Sequence, residues 1–265
     1  MTGSALDLER LQRELATTRI GRSLQYLDRT RSTNDDARNA IASSIASGHT
    51  IVADAQDAGR GSRGRPWESP AGTDLYVSIV ERLPLSLAEL PPLTLAVGLA
   101  VADTADALLR DTGAPASRLK WPNDVLIDGK KCAGVLIETS TGLAGGDAVV
   151  IGIGLNVNRS EFAPELQALA TSLSLADPKH APLDRTRALA LLLSYVEARV
   201  DEFVTQGATA IVRALEPRLA LMNKRVRVEA LEGVVRGVAP SGALLLDTDY
   251  GLRHVIAGRP ELQED

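Results

Sequence analysis

Gly59-Arg60-Gly61-Ser62-Arg63-Gly64-Arg65-Pro66-Trp67 is the stretch on which the reading of this chain turns. Three glycines and a proline in so short a run rule out a helix or a regular strand, so it reads as a long, mobile loop. Glycines let backbone N–H groups come close to an anion, and the three arginines offer fork-shaped donors suited to phosphate or carboxylate oxygens. A Walker A loop is excluded because no Gly-Lys-Ser/Thr ends the run, and a dinucleotide turn because no helix follows. A solvated loop or an arginine–glycine RNA contact would have the same composition. Outward from the loop, His49 to Gln56 precedes it as a strand, and Asp74 to Arg82 alternates as the next one.

Three further clusters stand out. Lys120-Trp121-Pro122-Asn123-Asp124 opens a strand predicted over Leu119 to Ile127. Its lysine could neutralise charge on an attacking carboxylate or a phosphoryl oxygen, or simply lie at the surface beside a packed tryptophan; Asn123 and Asp124 could be turn formers. Gly152-Ile153-Gly154-Leu155-Asn156-Val157-Asn158 ends a strongly apolar strand that starts at Asp147. Glycines there mark either a close ligand or the packing of a helix. Ser32-Thr33-Asn34, with Gln56, supplies short polar groups able to read a small neutral head such as a urea, or to cap the helix predicted over 35–47.

The remaining pattern gives helices over 6–20, from Leu93 to about Arg110, over 184–206 and from about Thr209 to Met222. A turn at Asp128-Gly129-Lys130 leads to a strand over 131–139. From Lys224 onward, short β segments spaced by Gly and Asp suggest a small barrel of the SH3 type. Domains are expected at 1–217, with 1–20 as an N-terminal helix, and 218–265.

With 265 residues, 45% hydrophobic and 24% charged, the composition is that of a globular chain, neither disordered nor fibrous. Its net charge of −5 argues against nonspecific binding to nucleic acid or an anionic membrane, so an anionic ligand needs a local cluster of cations. The single Cys132 excludes an intrachain disulfide, and His49, His180 and His254 show no ligand spacing, so no protein-borne metal site is expected. The N-terminus lacks a signal-peptide core, and the most apolar stretch, 93–109, contains Asp103 and Asp106; a soluble cytoplasmic protein with no membrane partner follows.

Taken in order, Ser-Thr-Asn at 32–34, Gln-x-x-Gly-Arg-Gly-x-x-Gly-Arg-x-Trp at 56–67, Lys-Trp-Pro-Asn-Asp at 120–124, Lys-x-Ala-Gly-x-Leu-x-Glu at 131–138 and Gly-x-Gly-x-Asn at 152–156 resemble the biotin–protein ligases. The resemblance runs from about Gly21 to Pro260. It implies an α+β fold, with a mixed-sheet catalytic domain like that of class II aminoacyl-tRNA synthetases and a C-terminal SH3-like barrel. It also implies a reaction: biotin and Mg-ATP give biotinyl-5′-AMP, and a lysine of a carboxylase's biotin carboxyl carrier domain then takes the biotinyl group.

Carried over residue by residue, the resemblance puts biotin among Ser32, Thr33, Asn34, Gln56, Arg60, Gly61, Ser62 and Lys120. ATP falls to Arg60, Arg65, Trp67 (stacked on adenine), Lys120, Lys131 and Asn156. Lys120 and Arg60 are the catalytic candidates, with Asp124 a further one.

Two positions depart from the family pattern. Ser62 replaces the usual second arginine of the loop, which predicts a weaker hold on the adenylate unless Arg63 substitutes. Cys132 replaces a leucine, a swap of one small buried apolar group for another. A lipoate–protein ligase would show motifs absent here. Only 31 residues precede Ser32, too few for an independent DNA-binding domain, so a ligase without DNA binding is expected. A biotin-binding module would not need Lys120 and the arginine loop. A homodimer is left open.

Overall fold

The computed structural model describes residues 5–43, 45–141 and 147–263. A short helix α1 (Leu8–Glu14), capped by the Asp7 side chain on Arg10 N–H, precedes strand β1 (Leu24–Leu27), helix α2 (Thr33–Ala42) and strand β2 (Thr50–Ala53). β3 (Leu75–Glu81) is followed by α3 (Leu93–Leu108), β4 (Arg118–Lys120), β5 (Asp124–Ile127), β6 (Lys130–Ser140) and β7 (Ala148–Leu155). These strands form one seven-stranded sheet in the order β1-β2-β3-β7-β6-β5-β4, with β1 and β2 parallel and every other pair antiparallel. The mixed sheet expected from the resemblance is therefore present.

Alternation sorts the strands' side chains between two faces. Val77 and Ile79 of β3 and Val149, Ile151 and Ile153 of β7 enter the main core with α3 and with α5 (Arg185–Gln206). α3 is almost wholly apolar over its first ten residues and buried along most of its length, with Asp103 and Asp106 near its end paired to Arg199 and Arg218. On the other face, α2 sets Ala37 and Ile41 against Ile51, Val80 and Val150, a much smaller cluster.

The strand predicted over Leu119 to Ile127 is instead a hairpin. β4 pairs antiparallel with β5, Lys120 opposite Asp124, and Trp121-Pro122-Asn123 forms its tip. Proline has no N–H for a ladder and a fixed φ, so the chain reverses at Pro122 instead of running through. β1, α4 (Leu173–Ala176) and the last strand were not anticipated: each is very short and without clear periodicity.

After α6 (Ala208–Leu215), strands β8 (Arg225–Val228), β9 (Leu231–Val238), β10 (Leu244–Thr248), β11 (Gly251–Val255) and β12 (Glu261–Leu262) form an antiparallel sheet ordered β11-β10-β9-β8-β12. No pairing joins β11 to β12 among the described residues, so this is an open five-stranded sheet and not the closed barrel expected. It docks on the larger unit through Trp121, whose Nε1 donates to Gly242 O at 2.8 Å, and the segment leading into it is held by Ala220 N–H, which donates to Leu119 O at 2.8 Å.

Candidate active site

On the α2 face, β3, β7 and β6 lie side by side in register, and their side chains descend in rungs. Val80 and Val150 support α2. One rung along come Ser78, Gly152 and Leu136, and the next holds Tyr76, Gly154 and Gly134. Valine thus gives way to hydroxyl and glycine where the apolar cluster ends, and the sheet surface drops. A Cβ on Gly152 would stand 2.9 Å from Asn34 Cγ, and one on Gly154 would stand 2.5 Å from Trp67 Nε1. Both glycines therefore seat side chains, Asn34 from the first turn of α2 and Trp67 from the end of the arginine loop. Helix packing accounts for Gly152, and the loop's tryptophan accounts for Gly154.

The buried polar groups of this floor form a chain. Asn34 Nδ2 donates to Glu138 Oε2 at 2.6 Å, and Ser78 Oγ donates to Asn34 Oδ1 at 2.6 Å while lying 2.7 Å from Thr33 Oγ1. Thr33 N–H donates to Gln56 Oε1 at 2.9 Å, and Gln56 Nε2 donates to Ser69 Oγ at 2.8 Å. Ser32 begins α2 with extended backbone, yet its hydroxyl makes no capping bond. Capping therefore explains neither Ser32 nor Asn34. Ser32, Thr33, Asn34 and Gln56 come together with Arg60, Gly61 and Ser62 around one narrow recess floored by Gly134, Gly152 and Gly154.

The arginine loop folds back on itself: Gly61 N–H donates to Arg65 O and Trp67 N–H to Gly59 O, both at 2.8 Å. Ser62–Gly64 makes a single 3-10 turn, with Arg63 at φ 62°. That turn sends Arg63 toward Glu229, 3.9 Å away, and it lines neither the recess nor the neighbouring cavity. In this arrangement Arg63 is directed away from both spaces.

Beside the recess opens a cavity of about 590 Å³, within the range of small-molecule sites. Six cationic residues, Arg65, Arg118, Lys120, Lys131, Arg159 and Arg259, face it against three acids, Glu68, Asp124 and Asp128, so it is a positive site on a negative chain. Leu126, Phe162, Leu166, Leu169, Ala170 and Leu221 make an apolar wall. Lys120 lines this cavity but not the recess. Burial and then Arg259 push its amine below the usual lysine value, with Asp124 and Glu261 pulling the other way.

Lys131 lines both spaces: its Nζ lies 2.5 Å from Asp124 Oδ1 and 5.1 Å from the centre of the Trp67 ring. Gly61, Ser62 and Trp67 are the other residues common to the two. Asn156 faces the larger cavity, but its Nδ2 donates to Thr171 O at 2.9 Å. Asn123, at the hairpin tip, borders the recess and donates through Nδ2 not to its own turn but to Val135 O of β6 at 2.8 Å. Cys132 is fully buried in the core, and burial pushes its thiol up to about 12.

Sequence reasoning missed Ser78, Ser69, Asp35 and the wall of residues 162–170. The signal for Ser78 was a lone serine on the apolar β3 strand, one rung past Val80.

A sequence model of the biotin/lipoate A/B protein ligase family matches residues 26–158, and one of the biotin protein ligase C terminal domain matches residues 221–259. The bifunctional ligase/repressor BirA of Bacillus spizizenii is 34% identical over 254 residues, which cover 94% of this chain and 76% of that protein. The biotin–[acetyl-CoA-carboxylase] ligase of Mycobacterium tuberculosis is 35% identical over 85% of this chain and 84% of its own length. Among solved structures, the biotin protein ligase from Aquifex aeolicus in complex with biotin and ATP superposes with a TM-score of 0.80 at 28% identity, covering 92% of this chain and all of that one. On these matches, the chain belongs to the biotin/lipoate A/B protein ligase family, on its biotin protein ligase branch.

Proposed function

We propose that this chain attaches biotin to a lysine of a carboxylase's biotin carboxyl carrier domain, through biotinyl-5′-AMP. The observation that carries the reading is the shared wall: a narrow polar recess and a wide cationic cavity meet at Gly61, Ser62, Trp67 and Lys131. A head bound in the recess and a nucleotide bound in the cavity would bring a carboxylate and an α-phosphate together there. Relatives and a solved structure named for biotin, and in the Aquifex case for biotin with ATP, support both substrates.

In the first step a biotin carboxylate oxygen bonds to the α-phosphorus and the bond to pyrophosphate breaks. Two anions approach, so cations preorganised at the junction dominate the rate. Arg60 and Lys131 serve the meeting point, while Lys120 and Arg65 neutralise the phosphates. Ser32, Thr33, Asn34 and Gln56 read the biotin head. The adenine lies on the apolar wall of 162–170, and Trp67 packs between the two ligands. Asn156 borders the nucleotide.

In the second step the carrier's lysine amine attacks the acyl carbon, loses a proton, and AMP departs with the anhydride oxygen. Magnesium suits the donors present, because it takes one or two carboxylates together with substrate phosphates, and Asp124 and Asp128 face the cavity. When bound there it would offset phosphate charge. ATP as co-substrate and a reduced cysteine favour a cytosolic setting; no described helix is long and apolar enough to cross a membrane.

The test is incubation with a carrier domain, ATP and either biotin or lipoate, read by mass spectrometry. A biotinyl adduct that needs ATP is expected; an adduct only with lipoate, or none from folded protein, overturns the reading.

A further inference from the structure

Arg60 reaches the recess from the arginine loop, yet the loop's own bonds hold only its backbone. Its guanidinium is held from the opposite side, by the residue that follows the Ser-Thr-Asn run. Arg60 Nη1 donates to Asp35 Oδ2 and Nη2 to Asp35 Oδ1, both at 2.7 Å, the two-pronged arrangement in which guanidinium and carboxylate fit best. Asp35 Oδ1 is also bonded by Arg38, and Arg38 Nη1 donates to Glu138 Oε1 at 3.1 Å. Glu138 Oε2 lies 3.7 Å from Arg60 Nη2, which closes a square of two arginines and two carboxylates. The Arg60 bonds are the main cause of Asp35 being held at about 2, well below the ordinary carboxyl value.

We infer that Asp35 is a positioning residue for the adenylation step, fixing the Arg60 fork at the mouth of the recess so that its remaining N–H groups meet the incoming carboxylate. An arginine has five N–H donors, and the bidentate pair uses two of them. Glu138 stands near the second Nη2 proton, so the Nε–H and the outer Nη1–H are the donors left for an anion. Without Asp35, a side chain one third exposed and carried on a glycine-rich loop must be ordered by the substrate itself, and binding weakens accordingly. Asn34 and Asp35 are adjacent in the chain, so the first turn of α2 both contacts the recess floor and aims the cation that comes down from the loop. Asp35 is not itself a contact of the reacting atoms.

The inference rests on Arg60 meeting the biotin carboxylate, and the experiment separates the two claims. Asp35→Asn, Asp35→Glu, Arg60→Ala and the Asp35→Asn/Arg60→Ala double variant are compared by biotin-dependent pyrophosphate exchange and by calorimetric titration with biotin. Asp35→Asn is expected to lower kcat/KM for biotin about tenfold, the scale of one charge-assisted pair, with little change in KM for ATP. Asp35→Glu keeps the negative charge at the start of α2 but displaces the carboxylate, so it too should lose activity. The double variant should come close to Arg60→Ala alone, because the only other path from Asp35 to the recess is the longer one through Arg38 and Glu138 to Asn34.

Unchanged or tighter biotin binding in Asp35→Asn would show that Asp35 competes for Arg60 instead of aiming it, and would overturn the inference. So would a full Asp35→Asn loss added to that of Arg60→Ala, which would point to helix stability. If Arg60→Ala itself leaves biotin kinetics unchanged, the placement of the carboxylate falls and the inference with it. If Arg60→Ala is impaired but the Asp35 variants are not, only the inference falls. Asp35→Glu keeps the comparison available should Asp35→Asn not fold.

Discussion

Replacing Gly152 with alanine tests whether the recess floor is built around Asn34. The new methyl would lie 2.9 Å from both Asn34 Cγ and Nδ2, and nearer still to Oδ1. Ordinary contact needs about 3.4–4 Å, so the amide must retreat by roughly 1 Å. It has nowhere free to go. Its Oδ1 accepts from Ser78 and its Nδ2 donates to Glu138, both at 2.6 Å, so a shift of that size stretches two bonds beyond useful length.

A neutral bond contributes about 1 kcal/mol and one to a carboxylate about 1.5–3, so the loss is about 2.5–4 kcal/mol. Alanine regains about 0.5–1 kcal/mol over glycine within a strand. The clash wins, leaving a net cost of about 1.5–3.5 kcal/mol by these estimates. Urea denaturation should show the stability loss, and calorimetry should show biotin binding weakened by tenfold or more. The decisive control is Asn34→Ala, which removes the clashing atoms: in that background Gly152→Ala should be neutral or stabilising. An unchanged midpoint and affinity in the single variant, or an undiminished cost in the double, refutes the account.

Lys131→Ala should slow pyrophosphate exchange by about 10²-fold or more, the scale of losing one preorganised charge donor. Lys120→Ala should act mainly through the KM for ATP, since Lys120 faces only the larger cavity; the reverse ranking would return the junction role to Lys120. Ser62→Arg should slow release of the adenylate, because Ser62 borders both spaces and Arg63 turns away toward Glu229; release at the wild-type rate, followed with labelled biotin, contradicts this. Asp35 titrates near 2 when folded and near 3.9 when unfolded, so its contribution to stability is complete above about pH 4 and lost as pH falls toward 2. Asp35→Asn should flatten that part of the stability curve, measured by urea denaturation from pH 5 to 2.

Much of the site was legible because its residues are unusual for their local structure. Glycines inside an apolar strand, three arginines in a loop without acids, and a Ser-Thr-Asn run before a helix each break a local rule, and broken local rules mark functional positions. Asp35 breaks none: an acid in the first turn of a helix is the expected complement of the helix dipole, so its link to Arg60 could not be seen before the loop was placed. Ser78 and Glu138 are similar, since only the register of β3, β6 and β7 puts them on one face. The Lys120–Asp124 hairpin is masked in the sequence because the apolar run Val125, Leu126 and Ile127 reads on as one strand, and Pro122 alone marks the reversal. The barrel was inferred from strand count and spacing, which do not say whether the first and last edges meet.

The two tryptophans show how the site depends on both units of the chain. Trp67 rests on Gly154 at the boundary between the recess and the cavity, where its ring also meets Lys131. Trp121 is buried at the hairpin tip and lines neither the recess nor the cavity, donating instead to Gly242 O beside the C-terminal sheet. That sheet and the segment leading to it bring Leu221, Arg259 and Leu262 to the cavity wall, and Arg259 acts on the same space as Lys120. The cavity is thus complete only when the two units are docked. The Lys-Trp-Pro-Asn-Asp motif supplies a cation to the nucleotide side with its first residue and holds the opposite wall in place with its second. A chain of net charge −5 can therefore concentrate positive potential in one cleft, where low-dielectric walls focus it. Loss of the Trp121 anchor should be felt first in the nucleotide side of the reaction, because the recess is built entirely from elements that precede the C-terminal sheet.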